Sequence, residues 1–397
     1  MKLSKRVSAL TPSITLAISA KAKKLRSEGV DVIGFGAGEP DFDTPENIKN
    51  AAKQALDTGF TKYVPAAGVL DLRTEVAKMY RERYGLDYAA ENVIISVGGK
   101  GVLYSLMQAL IEDGDEVLIT TPYWVSYPPM VTLAGGVPVY VETDETTGFT
   151  ASPEKIAEKI TDRTKMLILN SPSNPTGAAY SREQLMAIAE LVIEKDIFVC
   201  SDEIYDHILY DGFEFVSFPT LDPRLADRCL IANGLAKTYS MTGWRVGYGV
   251  GPKEVIGAMT RLQSHANSGT ASFAQSGALE ALRGDQSTLD VMLSAFAKRR
   301  RIIVDRLNGM EGVTCFEPQG AFYVFPKVSS YYGKSFGDKV IDGSLALSDY
   351  LLDEAKVAVV PGIGFGADDF IRLSYATDEE SIVKGLDRIE TALKKLV

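Results

Sequence analysis

Short apolar runs recur through the first three-quarters of the chain, and stretches with helical spacing separate them. Val93-Ile94-Ile95-Ser96-Val97 is the first clear strand candidate; Gly98-Gly99 follow, and a helix is predicted from Lys100 to Ile111. Glu116–Thr120, Val137–Val141, Met166–Leu169, Ile197–Cys200, Cys229–Ala232 and Val246–Val250 continue the series. Runs that are apolar throughout, rather than alternating, belong to a sheet covered on both faces. An α/β architecture follows, with a mostly parallel seven-stranded sheet between helices. In such sheets ligands lie beyond the carboxyl ends of the strands. From about residue 291 the texture changes to a charged helix around Ala297–Arg301, with strand-like pieces at Phe322–Phe325 and Ile371–Tyr375. We therefore divide the chain into a large domain, 46–290, and a smaller α+β domain, 1–45 with 291–397. Ile14, Ala17, Ile18 and Leu25 fit one face of a helix near the start.

Composition narrows the function. The 397 residues carry a net charge of −10, which argues against a nucleic-acid or anionic-membrane binder. No run approaches the ~18 apolar residues of a membrane span. Three scattered cysteines (Cys200, Cys229 and Cys315) and two histidines leave no disulfide framework and no zinc motif. Near the start, Lys2, Lys5 and Arg6 precede a stretch broken by Ser8, Thr11, Pro12, Ser13 and Thr15, and Lys21, Lys23 and Lys24 follow it. That is not the pattern of a secretory leader, and the cytoplasm is the expected compartment.

Chemistry concentrates at the strand ends. Lys237 and Arg245, in AKTYSMTGWR, lie between two apolar runs. A lone buried ammonium is costly, so these are either paired core cations or a reactive amine beside an anion-binding arginine. Gly98-Gly99 before a helix offers N–H groups to an anion. Asn174-Pro175-Thr176-Gly177 is a turn signal, and Asp202 either caps a helix or serves a ligand.

Taken in order, these motifs say more. Gly-Gly-Lys, Tyr-Trp, Ser-Pro-Ser-Asn-Pro-Thr-Gly, Ser-Asp-Glu-Ile-Tyr, Ala-Lys-x-Tyr-x-Met-x-Gly-Trp-Arg and Ile-Arg-Leu-Ser-Tyr run along the chain. The series resembles the fold-type I pyridoxal-phosphate aminotransferases, and most of all the bacterial Ib subgroup of aspartate aminotransferases. The resemblance spans Gly36 to Arg372. It implies pyridoxal 5′-phosphate held by Lys237 as a Schiff base, with Lys237 also moving the substrate α-proton. Arg245 and the N–H groups around Gly99 and Lys100 would hold the phosphate. Asp202 would pair with the ring nitrogen, Tyr205 and Asn174 would bond the ring oxygen, and Trp124 would stack on the ring. Tyr63 would reach the phosphate of a neighbouring subunit, which implies a homodimer.

The resemblance also implies the substrates. Arg372 would grip the α-carboxylate, with the Gly38 backbone beside it. Lys100 would read a second carboxylate, near Thr15, giving transfer between aspartate and 2-oxoglutarate by a ping-pong mechanism. Prephenate or aromatic substrates, and carbon–sulfur lyase chemistry, are the alternatives. Four residues depart from the family pattern or add to it. Gly101 stands where relatives carry a larger side chain, which would loosen the pocket around Lys100. Ala236 replaces a hydroxyl residue, whose phosphate bond Ser240 or Thr238 would supply. His207 is expected to be structural, and His265 to lie toward a subunit interface.

Overall fold

The computed structural model describes residues 3–10 and 14–397, apart from the side chains of Thr15, Leu16 and Ser19. Strand β1 (Ile33–Gly34) belongs to the smaller part of the molecule. The next seven strands form the central sheet: β2 (Val93–Val97), β3 (Glu116–Thr120), β4 (Val137–Val141), β5 (Thr164–Asn170), β6 (Phe198–Asp202), β7 (Cys229–Gly234) and β8 (Val246–Val250). Their order is β2-β8-β7-β6-β5-β3-β4. Only β8 runs antiparallel to its neighbours, β2 and β7. The last of these strands along the chain, β8, is thus inserted next to the edge strand β2.

The buried residues explain the layers. Ile94, Ile119, Ile168, Cys200 and Leu230 face the helices Gly98–Leu110 and Lys253–Ala266. Val93, Ile95, Ile231 and Val250 face the opposite way, toward helices Leu70–Tyr84 and Ser272–Arg283. Alternate residues of one strand thus serve two apolar faces, so the sequence shows no polar alternation.

The remaining strands are β9 (Tyr323–Val324), β10 (Ser335–Phe336), β11 (Lys339–Val340), β12 (Val357–Ala358), β13 (Val360–Pro361) and β14 (Ile371–Ser374). β14 lies between β13 and β9, and β1 pairs in parallel with β12. Of the expected strand Phe322–Phe325, only the middle two residues make ladder pairs. Helix Ser287–Asn308 runs unbroken through position 290. Its Leu289 packs on the large-part core, while Met292 and Phe296 lie in the small-part core. We propose the division at that point because it is where the helix changes cores.

Two expectations are corrected here. The helix predicted from Lys100 starts at Gly98, whose φ of +71° turns the chain directly out of β2. On helix Ile14–Ser27, Ile18 and Leu25 pack against Ala22, Val32, Leu352 and Ala358, but Ala17 is exposed.

Candidate active site

A cavity of about 840 Å³ opens beyond the carboxyl ends of β5, β6 and β7, between the two parts of the molecule. Lys237, Asp202, Tyr205, Gly99, Lys100, Trp124, Asn174, Arg245, Gly38 and Arg372 all line it. Two of the predicted residues stand apart. Tyr63 is 95% exposed and does not line the cavity of its own chain. Thr15 belongs to helix Ile14–Ser27, but its side chain lies outside the described residues.

One end of the cavity is a cationic cup. Helix Gly98–Leu110 presents its first N–H groups there, where they lack intrahelical partners. A Cβ on Gly98 would lie 2.6 Å from Arg245 Nη2, and one on Gly247 would lie 2.3 Å from Gly99 N. Only glycine at both positions lets the guanidinium, β8 and the helix start meet. Arg245 itself has φ +55° and donates from Nη1 to the Thr242 carbonyl at 2.8 Å. Helix N-terminus, glycine cradle and fork-shaped guanidinium together suit a phosphate.

The floor is acidic and dry. Asp202, 5% exposed, accepts from Tyr127 Oη at 2.5 Å and from Ile204 N at 3.3 Å. Burial raises its pKa to about 6, against the lowering effect of those hydrogen bonds and of Lys237. Asn170, opposite Asp202 in the ladder, donates from Nδ2 to the Asp202 carbonyl at 3.1 Å and accepts from Asn174 N at 2.9 Å. Tyr205 shares a 2.9 Å hydrogen bond with the hydroxyl of Tyr323.

Lys237 donates to the Gly38 carbonyl. Burial lowers its pKa to about 8; Arg372 and Arg245 add to the lowering, and Glu39 opposes it. An amine held near neutrality in a cavity is a nucleophile and a proton carrier. Arg372, 4% exposed, donates to Asn174 Oδ1 at 2.9 Å and to the Gly36 carbonyl at 3.0 Å. Its Nε has no partner, and among the described residues no carboxylate pairs with it. Such a buried guanidinium is a site for an incoming carboxylate. On another wall, Lys100 Nζ sits 4.7 Å from the Trp124 ring centroid. Partial burial and nearby Arg245 lower its pKa.

The departures resolve differently from expectation. A Cβ on Gly101 would point at Ser96 Oγ, 2.7 Å away, and not into the cavity. Gly101 lets the helix lie against β2 and does not loosen the pocket. Thr238 is buried away from the cavity, and Ser240 Oγ is directed at Met292 Sδ, so neither lines the site beside Ala236. Thr242 does, with its hydroxyl on Glu39 at 2.7 Å. His207 bonds Asp206 and Arg83 outside the cavity, and His265 lies at the end of helix Lys253–Ala266.

Patterning did not point to Tyr127, Asn170, Tyr323, Thr242 or Glu39. The strand-end rule reaches Asn170, which is one register step across from Asp202. The two tyrosines carry no such signal, because they read as ordinary core aromatics.

Comparison with known proteins agrees with this geometry. The family model for "Aminotransferase class I and II" matches residues 30–389. An aspartate aminotransferase of Geobacillus stearothermophilus is 50% identical over 396 residues, covering 100% of this chain and 98% of the relative. A probable aspartate/prephenate aminotransferase of Aquifex aeolicus is 46% identical over 396 residues, 99% of each. The crystal structure of the aspartate aminotransferase from Rhizobium meliloti superposes with a TM-score of 0.97 at 41% identity, covering 100% of both chains.

Proposed function

The chain belongs to the class I and II aminotransferases, and on that premise we propose that it exchanges an amino group between aspartate and 2-oxoglutarate with pyridoxal 5′-phosphate as cofactor. The observation that carries this reading is the spacing of cations around one amine: Arg245 in a glycine cradle, Arg372 buried without a carboxylate, and Lys100 on a third wall.

The residues present fit the cofactor. Arg245 and the N–H groups of Gly99 and Lys100 suit its phosphate, and Asp202 a protonated ring nitrogen. Asn174 uses Oδ1 for Arg372, and its Nδ2 makes no hydrogen bond among the described residues, so it is free to donate to a ring oxygen beside Tyr205. Trp124 offers an aromatic face. When bound, pyridoxal phosphate supplies an aldehyde that condenses with amines and a ring that draws electron density from the α-carbon.

The chain's own groups do the rest. Lys237 holds the cofactor and, once displaced, moves the substrate α-proton on Nζ. Asp202, ionised above about pH 6, keeps the ring nitrogen charged. Arg372 orients the α-carboxylate, and its bond to Asn174 couples that grip to the cofactor's edge. Lys100 reads the distal carboxylate. Tyr63, exposed on its own chain, is assigned to the phosphate of a second copy in a homodimer. Three free buried thiols suit the reducing cytoplasm.

Arg372→Leu should lower kcat/KM for every amino donor by about 10²–10³-fold, the scale of losing one partner of a buried charge pair. Lys100→Ala should lower it about tenfold for aspartate and glutamate but at most about twofold for alanine. Half-reactions with single donors measure both. Equal losses for aspartate and alanine in Lys100→Ala would remove Lys100 from the substrate pocket. Steady pyruvate release without amino-group storage would move the chain to lyase chemistry. Prephenate, named with the Aquifex aeolicus relative, is the next acceptor to assay.

A further inference from the structure

Two cations of the same cavity have no part in that scheme. Helix Ile14–Ser27 lies along the mouth, where Ile18, Ala22 and the solvent-exposed Lys23 and Arg26 line the cavity. Positions four apart share a helix face, so the apolar and cationic members form one wall. The other lysines of this helix are paired: Lys21 with Asp349 at 2.9 Å, and Lys24 with Glu28 at 3.9 Å. Among the described residues, neither Lys23 nor Arg26 meets a carboxylate. The helix's unpaired charges are the ones that face the cavity.

Arg26 is also held in place. Its Nε donates to the Val32 carbonyl at 2.9 Å. A Cβ on Gly34 would lie 2.6 Å from Arg26 Nη2, so the guanidinium rests against β1 only because that residue is glycine. Two residues further on, the Gly36 carbonyl accepts from Arg372 at 3.0 Å. The chain stays extended between them, since Phe35 N bonds the Ala358 carbonyl. Two residues of extended chain span roughly 7 Å. The α-carboxylate arginine and Arg26 therefore bracket one short segment, with small residues (Ala22, Gly34, Ala358) along the cavity wall.

We propose that Arg26, assisted by Lys23, forms an outer anion subsite for the distal carboxylate of dicarboxylic amino and oxo acids longer than glutamate, the class of 2-aminoadipate and 2-aminopimelate. This rests on the aminotransferase reading of the site, with Arg372 taking the α-carboxylate. Lys100, beside Trp124, serves the short dicarboxylates, and the outer pair serves the long ones. A planar guanidinium fixed at one nitrogen loses little freedom on binding a carboxylate. In a chain whose overall net charge is −10, this local cationic wall is the favoured approach for a dianion.

The test compares holoenzyme with the Lys23→Gln/Arg26→Gln double variant by quenching of tryptophan fluorescence, since Trp124 lines the cavity. Succinate is the short dicarboxylate probe, pimelate the long one, and hexanoate the long probe without a distal charge. The variant should bind pimelate about tenfold more weakly, the scale of one lost charge-assisted hydrogen bond, and succinate and hexanoate within about twofold of wild type. The half-reaction with 2-aminoadipate should fall in parallel with pimelate. Unchanged pimelate binding in the variant overturns the proposal, as does failure of the wild type to bind pimelate. Parallel loss of succinate and pimelate also overturns it, leaving only a general attractive field. Failure of wild-type enzyme to bind succinate or to convert aspartate strikes instead at the aspartate reading, and the pimelate comparison still decides the outer subsite.

Discussion

Lys237→Ala should abolish covalent attachment of the cofactor and lower the rate of the amino-acid half-reaction by at least about 10⁴-fold, the upper end of what a positioned general base contributes. The physical ground is the state of the amine. An ordinary lysine at pH 7 is neutral in roughly one molecule in three thousand, whereas one titrating near pH 8 is neutral in roughly one in ten. Burial does most of this, and Arg372 and Arg245 add to it. The same two arginines bind anions in the proposed scheme, so phosphate and carboxylate should relieve part of the effect as they arrive. In cofactor-free protein, the rate of covalent uptake should rise with pH through about 8 and level off above it, because only the neutral amine attacks. Borohydride reduction followed by mass analysis measures attachment, and stopped-flow absorbance measures the half-reaction. Retained attachment in Lys237→Ala would assign the linkage to another amine.

Glu39 provides a control on that pKa. Its carboxylate is the largest influence holding Lys237 upward, and Thr242 fixes it at 2.7 Å. The Gly36–Asp41 segment thus touches the site three times, Gly36 on Arg372, Gly38 on Lys237 and Glu39 on Thr242, and outside the cavity Asp41 accepts from Arg299 at 2.7 Å. A segment so placed influences the charge state of the amine and fixes the position of Arg372, the arginine proposed to bind the α-carboxylate.

Much of this was legible before the fold was known, for a definable reason. The sheet strands are buried on both faces, and that forces continuous apolar runs. Ligand groups collect where those runs end, so Asp202, Asn174 and Lys237 stood out as polar residues in the wrong company. The pairing of β8 between β2 and β7 could not be read, because an apolar run carries no direction. Nor could the side-chain aim of Gly101. A glycine's role depends on what its missing Cβ would strike, and here that is Ser96, across a helix–strand contact. Tyr127 and Tyr323 stayed hidden because only their hydroxyls bond groups of the site, and a buried tyrosine in sequence looks like packing. Nothing in the sequence separates Lys23 and Arg26 from the neighbouring Lys21 and Lys24, and only the fold shows which of these charges line the cavity.

Asp202→Asn should have opposite effects on stability and catalysis. In the folded, cofactor-free protein the carboxyl titrates near pH 6, above the ordinary aspartate value of 3.8. Between those values the folded chain keeps a proton that the unfolded chain has released, so stability falls as pH rises. The penalty is absent below about pH 4 and complete above about pH 6, on the order of 3 kcal/mol. Asparagine removes the ionisation and keeps an oxygen for the Tyr127 hydroxyl. Cofactor-free Asp202→Asn should therefore resist denaturant better than wild type at pH 8, and about equally at pH 4. Catalysis should move the other way. In the proposed scheme the ionised carboxylate would pair with the cofactor's cationic ring nitrogen, and losing that pairing should lower kcat by about 10³-fold, as removal of one preorganised electrostatic group does. Denaturation of cofactor-free protein at the two pH values, together with the aspartate half-reaction, measures both arms. Equal stability at pH 8 would mean that the buried charge is compensated by the chain itself, through Tyr127 and Ile204 N–H, and not by the cofactor. A carboxylate buried at that cost suits a site that holds a cation against it, and a cofactor-free Asp202→Asn more stable than wild type at pH 8 would be the sign of that use.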